Sequence, residues 1–240
     1  MMQVIWRLLA MRQRVYRLRI SGPITAASLS QVAKALERRR WTSPTALALV
    51  INAEGGSFVQ ANLVKSAVET YAKQRGVPVL SFVEDCALGP GYLVACAGQK
   101  MYVRECSLVG GVGTEYVHWN FRKTASSAKI KRHMWVFPLK HPLSDRLSFF
   151  KLLAKEAKTW LSRLLLVAQS NLLSQISLSR GERIKQWSKL ESAAYLRGPE
   201  AVQTGLADEV KGEREALGQE TRGVPVLDIS QGQWGAWLRR

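Results

Sequence analysis

"EDCALGPGYLVACAG", residues 84–98, is the stretch on which the reading of this chain turns. The apolar run "VPVLSFV" (77–83) that precedes it has the composition of a strand covered on both faces, and "GYLVACAG" within it reads as a short helix. Between them the chain must turn sharply, and it does so through Leu88, Gly89, Pro90 and Gly91. None of these four carries a hydroxyl or a thiol, and Pro90 has no backbone N–H.

On the N-terminal side, "RVYRLRI" (14–20) alternates like a strand and "SGPI" is a turn. "TAASLSQVAKALERRR" then places Ala27, Leu29, Val32, Ala33 and Leu36 on one helical stripe behind a Thr or Ser cap. "ALALVIN" is a second continuous apolar strand, broken by "AEGGS", and residues 59–74 repeat Leu63, Val64, Ala67, Val68, Tyr71 and Ala72 at helical spacing. Beyond the opening stretch come a strand in "KMYVR" and a glycine-rich loop in "SLVGGVGT". A long helix or broken pair of helices is expected over 147–178, followed by a helix in "AAYLRGPEAVQTGLADEV" that ends at Gly205. Strand and helix alternate, which predicts parallel strands joined by right-handed crossovers. The last thirty residues are turn-rich, with Trp234 and Trp237 near the end.

The 240 residues are 47% apolar, enough for a real core, but they carry 35 Lys and Arg against 18 Asp and Glu. A net charge of +17 exceeds what solubility requires and predicts a polyanionic partner, RNA or an anionic membrane surface. Three cysteines, Cys86, Cys96 and Cys106, argue against a secreted disulfide framework. No window is long and apolar enough for an integral membrane span. His118, His133 and His141 lack metal-ligand spacing, so neither a metal nor another cofactor is expected. The first 36 residues hold no acid, and Arg7, Arg12, Arg14, Arg17 and Arg19 lie among apolar residues. That composition suits a mitochondrial import sequence merging into the first strand of the fold, and a mitochondrial location is the expectation.

Four collinear stretches, "LVINAEGGS", "DCALGPGYLVACAGQKMYV", "SLVGGVGT" and "YLRGPEAVQTGLADEV", resemble the SppA/SohB signal-peptide peptidase family. The resemblance implies an α/β fold of the ClpP/crotonase type, a spiral core of repeated β-β-α units with parallel strands and a helical C-terminal half. It implies an extension at 1–14, a family domain at 15–210 and a tail at 211–240. In that family a serine opening the helix is the nucleophile, a downstream lysine is the general base, and glycines at a strand end lend N–H groups to the oxyanion hole. Carried onto this chain, the serine position is Gly89, the next oxyanion donor is Pro90, and the serine of Gly-Ser-Ile-Gly is Gly111. Lys131, in "IKRHMWVF", takes the base position, and Gly55 and Gly56 keep the strand-end glycines. The resemblance therefore implies a degenerate member, with no catalytic residues expected; Cys86 is the fallback nucleophile if a nearby cation such as Lys131 makes it a thiolate.

Between Glu115 and Asp145 there is no acid, yet Arg122, Lys123, Lys129, Lys131, Arg132 and Lys140 lie among Trp119, Phe121 and Trp135. Cations interleaved with aromatics suit phosphate contact and base stacking; packing of the aromatics on the body of the fold is the competing use. Arg38, Arg39 and Arg40 form a second basic cluster at a helix end. The leading expectation is an inactive SppA/SohB-like protein serving as a structural, RNA-contacting subunit of an organellar ribonucleoprotein such as the mitochondrial ribosome, beside neighbouring proteins. Two other readings stay open: an active endopeptidase with a relocated nucleophile, and an oligomeric or membrane-peripheral scaffold that touches no RNA.

Overall fold

A computed structural model describes residues 14–39, 44–133, 135, 148–150 and 155–230. Among these, the first four elements are β1 (Val15–Ser21), α1 (Ala26–Glu37), β2 (Ala46–Ala53) and α2 (Phe58–Arg75). β3 (Val79–Leu88), α3 (Pro90–Ala95), β4 (Lys100–Val103), β5 (Leu108–Gly110) and α4 (Arg122–Ser127) follow. The remainder is α5 (Lys155–Arg180), α6 (Trp187–Glu191), β6 (Tyr195–Arg197), α7 (Gly198–Thr204), β7 (Glu209–Val210), α8 (Glu213–Thr221) and β8 (Val226–Asp228). The fold is of mixed α/β type with parallel strands.

The chain forms two compact units, residues 1–113 with 172–240, and residues 114–171. The first holds an eight-stranded sheet, counted among the described residues, in the order β6-β5-β3-β2-β1-β8, with β4 also on β3 and β7 on β4. All pairings are parallel except β5 with β6. β2 shows why "ALALVIN" is apolar throughout. Leu47, Leu49, Ile51 and Ala53 enter the larger core with α1, α2 and α3, while Ala46, Ala48 and Val50 face a second cluster with Leu80, Phe82, Tyr102, Ala216 and Leu217. Strand periodicity sends alternate residues to opposite faces, so a strand covered twice shows no alternation in its chemistry.

Several elements depart from the sequence expectations. β3 runs five residues beyond "VPVLSFV", because Cys86, Ala87 and Leu88 pair with Leu108, Val109 and Gly110. That pairing also makes a strand of part of the expected loop "SLVGGVGT". The segment 211–240 was expected as a tail, but its described part supplies α8, which covers the second face of the sheet, and β8, which pairs with β1. The C-terminal half is accordingly not purely helical. Trp234 and Trp237 lie outside the described residues, as do residues 1–13 of the proposed import segment. Arg17 and Arg19 belong to β1: Arg17 bonds Glu213 at 2.6 Å and Asp228 at 2.8 Å, and Arg19 bonds Glu84 at 2.6 Å.

The second unit is built on a small aromatic cluster. His118 stacks on Phe149 with centroids 5.8 Å apart and lies against Tyr116, while Phe121 meets Phe149 edge-on at 6.4 Å. The long helix expected at 147–178 is described from Lys155 to Arg180; Ala157 is buried in the second unit, and Leu172 and Ile176 are buried in the first.

Candidate active site

In an open parallel sheet the strand ends carry the site, and three of them meet here. β3 ends at Leu88, and Gly89 caps α3 with φ +50° and ψ −113°. This is backbone that a residue with a Cβ holds only under strain. Pro90 suits the first helical position, where its missing N–H leaves no intrahelical bond unmade. Gly91 then lies against the end of β2, so close that a Cβ there would stand 2.7 Å from the Ala53 carbonyl oxygen. From the third strand, Gly110 accepts the Gly89 N–H at 2.8 Å, and a Cβ on Gly89 would meet the Gly111 carbonyl oxygen at 3.3 Å. Gly111, at φ +56°, donates to the Ala194 carbonyl oxygen at 2.9 Å. A Cβ on Gly111 would stand 2.7 Å from the Tyr195 ring, which occupies the space a serine would need.

At the β2 end the register shifts between Ile51 and Ala53. Asn52 Nδ2 donates to Asp85 Oδ2 at 2.6 Å, and Cys86 Sγ donates to Asn52 Oδ1 at 3.4 Å. Gly56 follows at φ +127°, where a Cβ would strike the backbone of Ile24 at 2.4 Å, and Gly55 accepts the Ile24 N–H.

Cys86 is 8% exposed. Burial pushes its thiol pKa up, and the neighbouring Glu54 and Asp85 push it the same way. Its surroundings are acidic where the sequence predicts cations, which disfavours the thiolate. Burial likewise raises the Cys96 thiol, to about 12. Lys131 belongs to the second unit, in the irregular segment after α4, with its side chain exposed. Among the described residues no three His, Cys, Asp or Glu side chains gather as metal ligands.

What the sequence reading missed is the anchor beneath the site. Tyr92, fully buried in α3, donates its hydroxyl to the Leu206 carbonyl at 2.9 Å. Two residues on, Asp208 accepts both terminal nitrogens of the buried Arg180 at 3.0 Å and the Met101 N–H at 2.6 Å. Burial alone would raise the Asp208 pKa, but the Arg180 guanidinium outweighs it and holds the carboxyl below its usual range. Asp208 lies in "GLADEV", so its spacing was visible and its partner was not.

The model of peptidase family S49 matches residues 71–226, a span from α2 through the turn at Gly89 to β8. The chain belongs to peptidase family S49. Among curated relatives, a Brucella abortus (strain 2308) protein named Na(+)/H(+) antiporter NhaA is 26% identical over 196 residues, which are 81% of this chain and 26% of that protein. "Putative protease MJ0651" of Methanocaldococcus jannaschii is 25% identical over 170 residues, 70% of this chain and 53% of that one. The S49 chain thus spans between a quarter and a half of these relatives' length. Among solved structures, a serine-to-alanine variant of the 1510-N membrane-bound stomatin-specific protease has a TM-score of 0.57 at 12% identity, covering 92% of this chain and 99% of that one. A lysine-to-alanine variant of the same protease, in complex with a substrate peptide, has a TM-score of 0.58 at 13% identity over 95% and 96%. The shared architecture is the S49, ClpP/crotonase-like fold.

The other residues expected to touch RNA lie on both units. Arg38 caps α1 and Arg39 stands over the Tyr16 ring at 5.8 Å, whereas Arg40 is outside the described residues. Arg122 and Lys123 open α4, Lys129 follows it at φ +55°, and Arg132 lies over the Phe150 ring at 5.8 Å. Trp119 and Trp135 are 64% and 88% exposed. Lys140 lies outside the described residues. No described helix is long and apolar enough to cross a membrane.

Proposed function

We propose that this S49 member hydrolyses no peptide bond and serves as a structural, RNA-contacting subunit of a ribonucleoprotein in the mitochondrion, with the organellar ribosome as the assembly. The observation that carries the first half is Gly89. The resemblance carries the family's nucleophilic serine onto this position, at the turn from β3 into α3, where glycine has no side chain to attack with. The loss is compounded at Pro90, since absence of one oxyanion donor costs about 10² to 10³ in rate and absence of the nucleophile removes the covalent route. Against Cys86 as a substitute stand its burial, the acidic Glu54 and Asp85 that push its pKa up, and its hydrogen bond to Asn52.

The second half is supported by the net charge of +17 and by two indoles left in solvent beside cations. Exposed indoles interleaved with cations suit base stacking together with phosphate contact. The test takes two measurements. Purified full-length protein is incubated with unstructured peptides and with serine- and thiol-directed probes; no cleavage and no adduct are expected, and cleavage abolished by Lys131→Ala overturns the inactive reading. Cell extract is then sedimented with and without ribonuclease. Co-migration with ribosomal particles that ribonuclease abolishes is the expected result, and migration as a free protein in both gradients overturns the RNA assignment.

A further inference from the structure

In the second unit a cavity of about 680 Å³ is lined by Asn120, Arg122, Lys123, Ser126 and Ser127. Among the described residues the lining holds two cations, two hydroxyls and a carboxamide, with no carboxylate. We propose that this cup holds a backbone phosphate of single-stranded RNA while Trp119, one residue before Asn120, stacks on an unpaired base. The inference rests on the RNA-contacting reading above and names the contact within it.

Helical geometry supplies the pairing. Arg122 with Ser126 and Lys123 with Ser127 are i, i+4 neighbours, so each cation has a hydroxyl one turn above it. Ala125 is the buried residue of α4 and turns the polar rows outward. The base of the helix is held by three contacts. Asn120 Oδ1 accepts the Arg122 N–H at 3.0 Å, Phe121 N–H donates to the Phe149 carbonyl at 2.7 Å, and the two phenyl rings meet edge-on. Among the described residues, neither Arg122 nor Lys123 has a carboxylate within ion-pair distance. Among the neighbouring aromatics, Phe121 and His118 contact the Phe149 ring while both phenyl groups stay 47% exposed, and Trp119 is 64% exposed.

This chemistry favours a flexible single strand over the alternatives. A phosphodiester takes the charge and hydrogen bonds of the cup, a ribose 2′-hydroxyl can bond the serines or the amide, and an exposed indole face needs a base free of its own stack. A phospholipid headgroup also brings a phosphodiester, but it has neither a 2′-hydroxyl for the serines nor a base for the indole to stack on.

The test uses the full chain and a fluorescein-labelled 12-nucleotide oligouridylate, with a duplex RNA of equal length and vesicles containing phosphatidylserine as comparisons. For R122A/K123A the plot of log affinity against log salt should flatten by about 0.7, the contribution of the one phosphate the cup holds. Trp119→Ala should weaken the single strand by about five- to 150-fold, and Trp119→Phe should restore most of it. Circular dichroism of each variant should match the wild type. Wild-type binding that both variants leave unchanged overturns this inference and leaves the RNA-contacting reading standing. Absence of RNA binding by the wild type at low salt overturns both. Equal binding of duplex and single strand overturns the stacking assignment, and vesicle binding lost in R122A/K123A without RNA binding replaces RNA by a membrane.

Discussion

Gly89 holds a backbone that only a residue without a side chain adopts freely. At φ +50° and ψ −113°, with the Gly111 carbonyl 3.3 Å from any added Cβ, a serine there would carry backbone strain of about 1–3 kcal/mol. Gly89→Ser is therefore expected to lower the melting temperature and to produce no measurable hydrolysis, because Pro90 still offers no N–H; a thermal melt and a peptide-cleavage assay check both parts. Gly91 is constrained differently, by the backbone of Ala53 at 2.7 Å from a new Cβ. Gly91→Ala should destabilise by about 1–3 kcal/mol in denaturant titration, as overpacking against an immobile neighbour does. Of the site, the lack of a side chain at residue 89 was legible in the sequence, since side-chain identity is a local fact. The placement of the Tyr195 ring over Gly111 was not, because those residues come from strands 84 positions apart.

Two elements that looked peripheral in the sequence hold the sheet together. α8 lays Ala216 and Leu217 over the second face, where Phe82 and Tyr102 stack at 5.1 Å, and Glu220 accepts the Tyr102 hydroxyl at 2.7 Å. Leu217→Ala should cost about 2–5 kcal/mol by urea unfolding, although Leu217 lies in the segment that reads as a tail. Under the site, the end of α5 and the turn leading into β7 are tied by Arg180 and Asp208. Asp208→Asn would leave the guanidinium buried without a counter-charge, a loss of about 3–5 kcal/mol. The same pair sets an acid limit. Because the folded Asp208 pKa lies below the unfolded value of about 3.9, its contribution is fully present above that value. It is lost as pH falls through the folded pKa. Wild type should therefore lose stability between about pH 4 and the lower folded value, and Asp208→Asn should flatten that part of the profile.

Taken as one body of charge, the chain at +17 is expected to attract polyanions from a distance and to release them in salt. Binding of single-stranded RNA by the full chain should weaken with a slope of about −0.7 per phosphate contacted and vanish near 1 M salt; fluorescence anisotropy across a salt series measures it. Not every cation serves that end. Arg17, which reads as part of an import-like arginine series, is bound by Glu213 and Asp228 with Glu84 at 3.5 Å, so it is spent on holding the sheet edge. A charge count over the sequence overstates the cations available to a partner.

The sequence alone determined the alternation that makes a parallel α/β sheet, the doubly covered strands, and the absence of an attacking atom at residue 89. Each of these is written in side-chain identity or in periodicity over a few residues. Tertiary structure alone decided that β8 closes the sheet beside β1, that Arg17 faces acids roughly two hundred positions away, that Arg180 meets Asp208, and that residues 114–171 cluster as their own unit. These are pairings between distant segments, and a partner's position is a property of the folded chain that no local pattern encodes.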